Sequence, residues 1–236
     1  MTLISFFACL FTAYGPALAI FFLYIARDAQ LVLLMLSSAF FWLIAILLSS
    51  VIWYLAKSVQ SQNYVTIIFT VLLQEVFRYL FYRLIRRAEV GLNLVSKHPK
   101  SVYNRSAFAF VSGYGFGLMS GAVMYMSVLV ASLGSGALIC PSCPQIDMYF
   151  VNAITCSLFI FQHILWMVLA FDGLSSPNFL MQWFMATWVV VSHLGASFAT
   201  LFNASTIPNG CVYSILINIA IIGVSGGLAV HSLIRS

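Results

Sequence analysis

Polar and charged residues in this chain come in short clusters separated by long stretches that carry no charge. The stretch from Thr2 to Ala26 is uncharged until Arg27-Asp28, and Leu31 to Ala56 is a second such run, closed by Lys57. Val65 to Ile85 is a third, interrupted by Glu75 and Arg78. Four more follow, at 107–133, 149–171, 179–202 and 211–233. A hydrocarbon core about 30 Å thick needs roughly 20 apolar residues at 1.5 Å rise each. A membrane β-strand would instead show about ten residues alternating in polarity. The pattern therefore predicts an all-α membrane protein, a seven-transmembrane-helix bundle, with residues 1–236 forming one polytopic domain.

Composition narrows the setting further. The chain is 63% hydrophobic and only 6% charged, whereas a soluble domain carries roughly 25% charged residues. So few charges cannot solvate a free globule, which excludes disorder, secretion and cytosolic life. No Lys or Arg precedes the first run, and that run is too long for a signal-peptide core, so it is expected to remain as an anchor.

The net charge of +5 sets orientation and calls for no nucleic acid. Arg83, Arg86, Arg87, Lys97, Lys100 and Arg105 join spans three and four, and Arg27 and Arg235 fall on the same side; Lys57 stands alone opposite. By the positive-inside rule the N-terminus is lumenal or extracellular and the C-terminus cytoplasmic. The basic loop then faces anionic membrane lipid headgroups. Asn203-Ala204-Ser205 is a glycosylation acceptor pattern on the expected lumenal side. Cys140-x-x-Cys143 lies there too, in a Pro-rich loop where one local disulfide is possible, while the absence of a second such pair weakens a zinc reading.

Ionisable residues at membrane depth need a partner or a role. Glu75 and Arg78, at i and i+3 in span three, can pair on one helix face. His163 in span five and His193 in span six are each readable as a polar contact between helices. Together with Glu75 they could form one polar pocket, and Glu/His/His is also the ligand set of a zinc hydrolase. In span four, Gly113, Gly117 and Gly121 stack along one face and permit close helix approach. An internal seam and an interface to another protein fit that stripe equally well.

These motifs occur in an informative order. Gly15-Pro16, Phe40-Phe41-Trp42-Leu43, Gln74-Glu75-Val76-Phe77-Arg78, Gly113-x-x-x-Gly117-x-x-x-Gly121, His163-x-x-Trp166, Phe171-Asp172 and Ser192-His193-Leu194 follow one another along the chain. The series resembles the anterior pharynx-defective family, the seven-span scaffold subunit of γ-secretase. The chain departs from that family in its Cys140–Cys143 loop, its short C-terminus and the nearly uncharged loop after Asp172. The resemblance implies a non-catalytic subunit without a cofactor or metal, assembled with nicastrin, presenilin and the presenilin enhancer subunit. Such a complex, in the endoplasmic reticulum, Golgi and plasma membrane, processes type I membrane proteins such as Notch. Residue by residue, it implies that Gly113, Gly117 and Gly121 are helix-packing positions needed for assembly, and that His163 and His193 are a buried structural pair.

The Glu75…Arg78, Phe159-x-x-x-His163 and His193-x-x-x-Ser197 series is also similar to the prenyl-protein (CAAX) endopeptidases, which use Glu and His as catalytic groups. Here Gln74 replaces one expected Glu and Ser197 an expected Asn, which removes groups needed to activate water. A receptor reading finds neither an Asp-Arg-Tyr-type nor an Asn-Pro-x-x-Tyr signature, and a transporter reading finds no convincing repeat.

Overall fold

The computed structural model describes residues 3–57, 60–94, 102–134, 136 and 138–235. Lys97 and Lys100, two of the cations on which the expected orientation rests, lie outside the described residues. Seven helices are long and apolar enough to cross a membrane: α1 (Leu3–Leu23), α2 (Ala29–Leu55), α3 (Asn63–Leu94), α4 (Val102–Ala131), α5 (Met148–Ser175), α6 (Phe179–Ala199) and α7 (Gly210–Arg235). Acceptor side chains start three of them. Asp28 accepts from the Gln30 amide at 3.0 Å, Asp147 from Tyr149 at 2.8 Å, and Asn178 from Leu180 at 3.0 Å. Each satisfies one of the amide donors that a helix start leaves open.

Two details differ from the hydropathy pattern. Helix α3 continues to Leu94, nine residues past Ile85, because Arg86, Arg87, Ala88 and Glu89 suit a helix even where they no longer suit lipid. The Cys140 loop contains a two-stranded antiparallel hairpin, β1 (Ile139–Cys140) with β2 (Cys143–Asp147). The fold is therefore nearly, not wholly, helical.

Helix α5 occupies the centre. Of its membrane-length window 72% is buried, against 22–44% for the other six helices. It packs against α1, α4, α6 and α7. One apolar cluster joins α1, α2, α4 and α5 around Tyr14, Tyr114 and Phe116, and a second joins α5, α6 and α7 around Trp166, Leu169 and Met185. Polar groups fasten these apolar surfaces. Tyr14 donates its hydroxyl to Gly121 O at 3.1 Å, and Tyr114 to Ala17 O at 2.9 Å. Gln162 on α5 donates to Asn218 Oδ1 on α7 at 2.9 Å. With no water at this depth, each such bond replaces an unsatisfied group in hydrocarbon.

Two expectations about the loops around Cys140 and Asn203 need correction. The disulfide joins Cys143 to Cys211, with Cα atoms 6.1 Å apart, and leaves Cys140 free and buried. Packing sets the first turn of α7 against the hairpin, so the partner of Cys143 is 68 residues away rather than three. Asn203 is 3% exposed, in a short 3-10 turn, Thr200–Ala204, after α6. A glycan on that amide has no room in the folded chain. Glycosidase digestion should therefore leave the electrophoretic mobility unchanged, and a downward shift that Asn203→Gln abolishes would contradict the burial.

Candidate functional site

Helix α3 presents Gln74, Glu75 and Arg78 inward. The pair is one helical turn apart, and a membrane-buried carboxylate is tolerable only with its charge matched. Arg78 Nε donates to Glu75 Oε2 at 2.9 Å and Nη2 to Oε1 at 3.2 Å, a two-pronged bond in which the Arg side chain is 2% exposed and the Glu side chain 11%. The guanidinium then reaches across to α5. Its Nη2 meets His163 Nδ1 at 3.1 Å and its Nη1 donates to His163 O at 3.4 Å. It also lies 4.8 Å from the centre of the Phe116 ring on α4, within cation–π range.

From α6, His193 Nδ1 meets Glu75 Oε1 at 2.7 Å. Its ring stacks on Trp166 with centres 4.4 Å apart, and the two imidazoles lie edge to face at 5.1 Å. The bonding partners dictate proton positions. A guanidinium only donates, so His163 Nδ1 is an acceptor; a carboxylate only accepts, so the His193 proton is on Nδ1. Four helices thus meet at one charge-matched cluster. Glu75, Arg78, His163 and His193, scattered over 119 residues of sequence, form one connected network of contacts.

This arrangement does not suit hydrolysis. The Glu75 carboxylate already accepts three donors, two from Arg78 and one from His193. A general base must have a lone pair aimed at water. The zinc reading fares no better, because the Arg78 guanidinium occupies the space between Glu75 and His163 and would repel a second cation there. A cleft of about 250 Å³ borders the cluster, lined among others by Trp42, Gln74, Ser120, His163 and His193.

The glycine stripe of α4 is an internal seam. A Cβ at Gly113 would stand 2.7 Å from Ile164 Cα, one at Gly117 2.7 Å from Ile160 O, and one at Gly121 3.0 Å from Cys156 Sγ. Helix α5 fills the stripe, so no partner chain can reach it, and its reading as a binding face is set aside. Gly115 points the opposite way, where a Cβ would strike Met35 O of α2. Ser38 donates to Ser112 O beside it. Backbone contact on both sides locks α4 between α2 and α5. By contrast, Gly223, Gly226 and Gly227 of α7 have open space where a Cβ would go.

Sequence reasoning overlooked Gly115, and it noted Gln74 only as a missing Glu. In the structure Gln74 Oε1 accepts from Trp42 Nε1 at 2.9 Å and joins α3 to α2. A polar amide and an indole within adjacent apolar runs were the available signal. Gln162 and Asn218 sent the same signal and also went unremarked.

Comparison with known proteins finds relatives along nearly the whole chain. The profile of the family described as Aph-1 protein matches residues 4–236. The gamma-secretase subunit Aph-1b of Danio rerio is 35% identical over 230 residues, covering 92% of this chain and 87% of that protein. The gamma-secretase subunit Aph-1 of Drosophila melanogaster is 34% identical over 230 residues, covering 97% and 92% respectively. The gamma-secretase subunit aph-1 of Caenorhabditis elegans is 25% identical over 221 residues, covering 84% and 71%.

Proposed function

Because this chain belongs to the Aph-1 family, we propose that it is the scaffold subunit of a γ-secretase, holding presenilin, nicastrin and the presenilin enhancer subunit together in the membrane. It is a multi-pass membrane protein and a non-catalytic component. Proteolysis of type I membrane substrates such as Notch belongs to the presenilin subunit, with this chain supplying a rigid frame. The observation that carries this reading is the occupation of Glu75. The Glu75 carboxylate is bonded to Arg78 and His193, which joins α3 to α6, and through Arg78 to α4 and α5. Such an arrangement maintains the shape of the bundle.

The same reading orients the chain. Arg27, Arg83, Arg86, Arg87, Arg105 and Arg235 support a cytoplasmic end that includes the C-terminus, with the hairpin and the start of α7 lumenal. Residence in the endoplasmic reticulum, Golgi and plasma membrane follows from working inside such a complex.

Affinity purification of the full chain from membranes in mild detergent should bring down presenilin and nicastrin in fixed proportion. A chain that is well folded yet always isolates alone would sink the assignment.

A further inference from the structure

The sulfurs of Cys140, Cys143 and Cys211 all lie within 4.8 Å of one another, although only Cys143 and Cys211 are bonded. Their residues are 0%, 3% and 0% exposed. The Cys140 thiol is held in place by donating to Asn203 O at 3.4 Å, and Ser142 Oγ lies 3.5 Å from it. Cys140 and Cys143 are also register partners across the hairpin. Partners in an antiparallel pair have Cα atoms about 4.5–5.5 Å apart, inside the range of about 4.4–6.8 Å that a disulfide spans. One sulfur, that of Cys143, therefore has two acceptable partners: Cys211 at the start of α7, and Cys140 on the facing strand.

We propose that Cys140 is the exchanging thiol of a disulfide switch, which interconverts the Cys143–Cys211 cross-link and a Cys140–Cys143 cross-link. In the forward step the Cys140 thiolate attacks Cys143 Sγ. The Cys140–Cys143 bond forms as the Cys143–Cys211 bond breaks, the electron pair leaves on Cys211 Sγ, and the proton given up by Cys140 ends there. One disulfide and one thiol stand on each side, so the step consumes neither oxidant nor reductant. Burial of all three sulfurs shields them from outside thiols but leaves the internal attack open.

The two forms constrain the protein differently. The Cys143–Cys211 bond closes a long loop containing α5 and α6 and clamps the hairpin to α7. The exchanged bond closes a small ring within the hairpin. The start of α7 is then held to it by hydrogen bonds, from Cys211 N to Ser142 Oγ at 3.0 Å and from Asn209 N to Ser142 O at 2.9 Å. The switch thus releases the lumenal end of α7 without unfolding it.

The test is disulfide mapping. Membranes containing the full chain are held at about pH 8, where thiolates form, then quenched with acid, alkylated with N-ethylmaleimide in denaturant, and digested without reduction. A Cys140–Cys143 peptide should appear beside the Cys143–Cys211 peptide in the wild type and vanish in Cys140→Ser. In Cys211→Ser, where two thiols replace the disulfide and thiol, treatment with diamide as the two-electron oxidant should put the Cys140–Cys143 bond in nearly all molecules. Wild-type chain that shows only the Cys143–Cys211 peptide after prolonged incubation overturns the proposal, whether or not Cys211→Ser folds. Free thiols at both Cys140 and Cys143 in folded, diamide-treated Cys211→Ser overturn it too. A Cys140–Cys211 peptide in place of Cys140–Cys143 overturns the hairpin pairing.

Discussion

Arg78→Met should be the most damaging change at the polar centre of this protein. Methionine keeps much of the length and packs well, so the loss isolates the charge and its bonds. Three contacts to Glu75 and His163 at 2.9–3.2 Å disappear together with the longer bond to His163 O. The Glu75 carboxylate is left with only His193 to face it, at a position where its side chain is 11% exposed. Removing one partner of a buried ion pair typically costs about 3–5 kcal/mol. The thermal midpoint in detergent and the yield of monodisperse protein should both fall. Arg78→Lys should rescue little, since an ammonium cannot reproduce the planar fork. The double variant Glu75→Gln/Arg78→Met should recover much of the loss, because it removes the stranded charge. A single Arg78→Met variant as stable as wild type would show that the pair does not hold the bundle.

Gly117→Leu should be nearly as severe, for a steric reason. The first added atom already falls 2.7 Å from Ile160 O and 3.1 Å from His163 Cβ. Neither neighbour is the flexible end of a side chain, so α4 and α5 must separate along their shared seam. Overpacking of a core typically costs about 1–3 kcal/mol and occasionally more. A whole isobutyl group against backbone belongs at or above the top of that range. Separation also moves His163, which stands one turn from Ile160 and accepts from Arg78, so the polar cluster loosens with the seam. Two controls bracket the effect. His231→Ala, at an exposed position near the end of α7, should change the melting of the isolated chain by less than about 0.5 kcal/mol, and Gly226→Leu, where a Cβ meets open space, should not lower it, since leucine suits a helix better than glycine. Equal melting of Gly117→Leu and Gly226→Leu would remove the seam from the account.

Much of the architecture is legible from residue order. The seven runs lie within a few residues of the observed helices, and the largest departure, the α3 extension to Leu94, falls where polar helix formers leave lipid without leaving the helix. The members of the site were legible as well, since Glu75, Arg78, His163 and His193 each break an apolar run. Their contacts were not. Glu75 and Arg78 share a turn and could be paired locally, but which faces of α5 and α6 turn toward them depends on helix rotation and crossing. Helices that are apolar nearly all round do not encode that. The Cys143–Cys211 bond was hidden for the same reason, as a local Cys-x-x-Cys spacing points to Cys140 and only the docking of α7 brings Cys211 within bonding reach.

The chain by itself thus determines how many times it crosses the membrane and which residues are too polar to face lipid. Both follow from a local rule: each span must satisfy its own backbone hydrogen bonds over a fixed hydrocarbon thickness. Only the tertiary structure decides that α5 is the central helix, that the glycine stripe closes against it, and that Glu75 is consumed by Arg78 and His193. Those outcomes rest on contacts between residues far apart in sequence, where shape complementarity and charge matching select one packing among many that hydropathy allows equally.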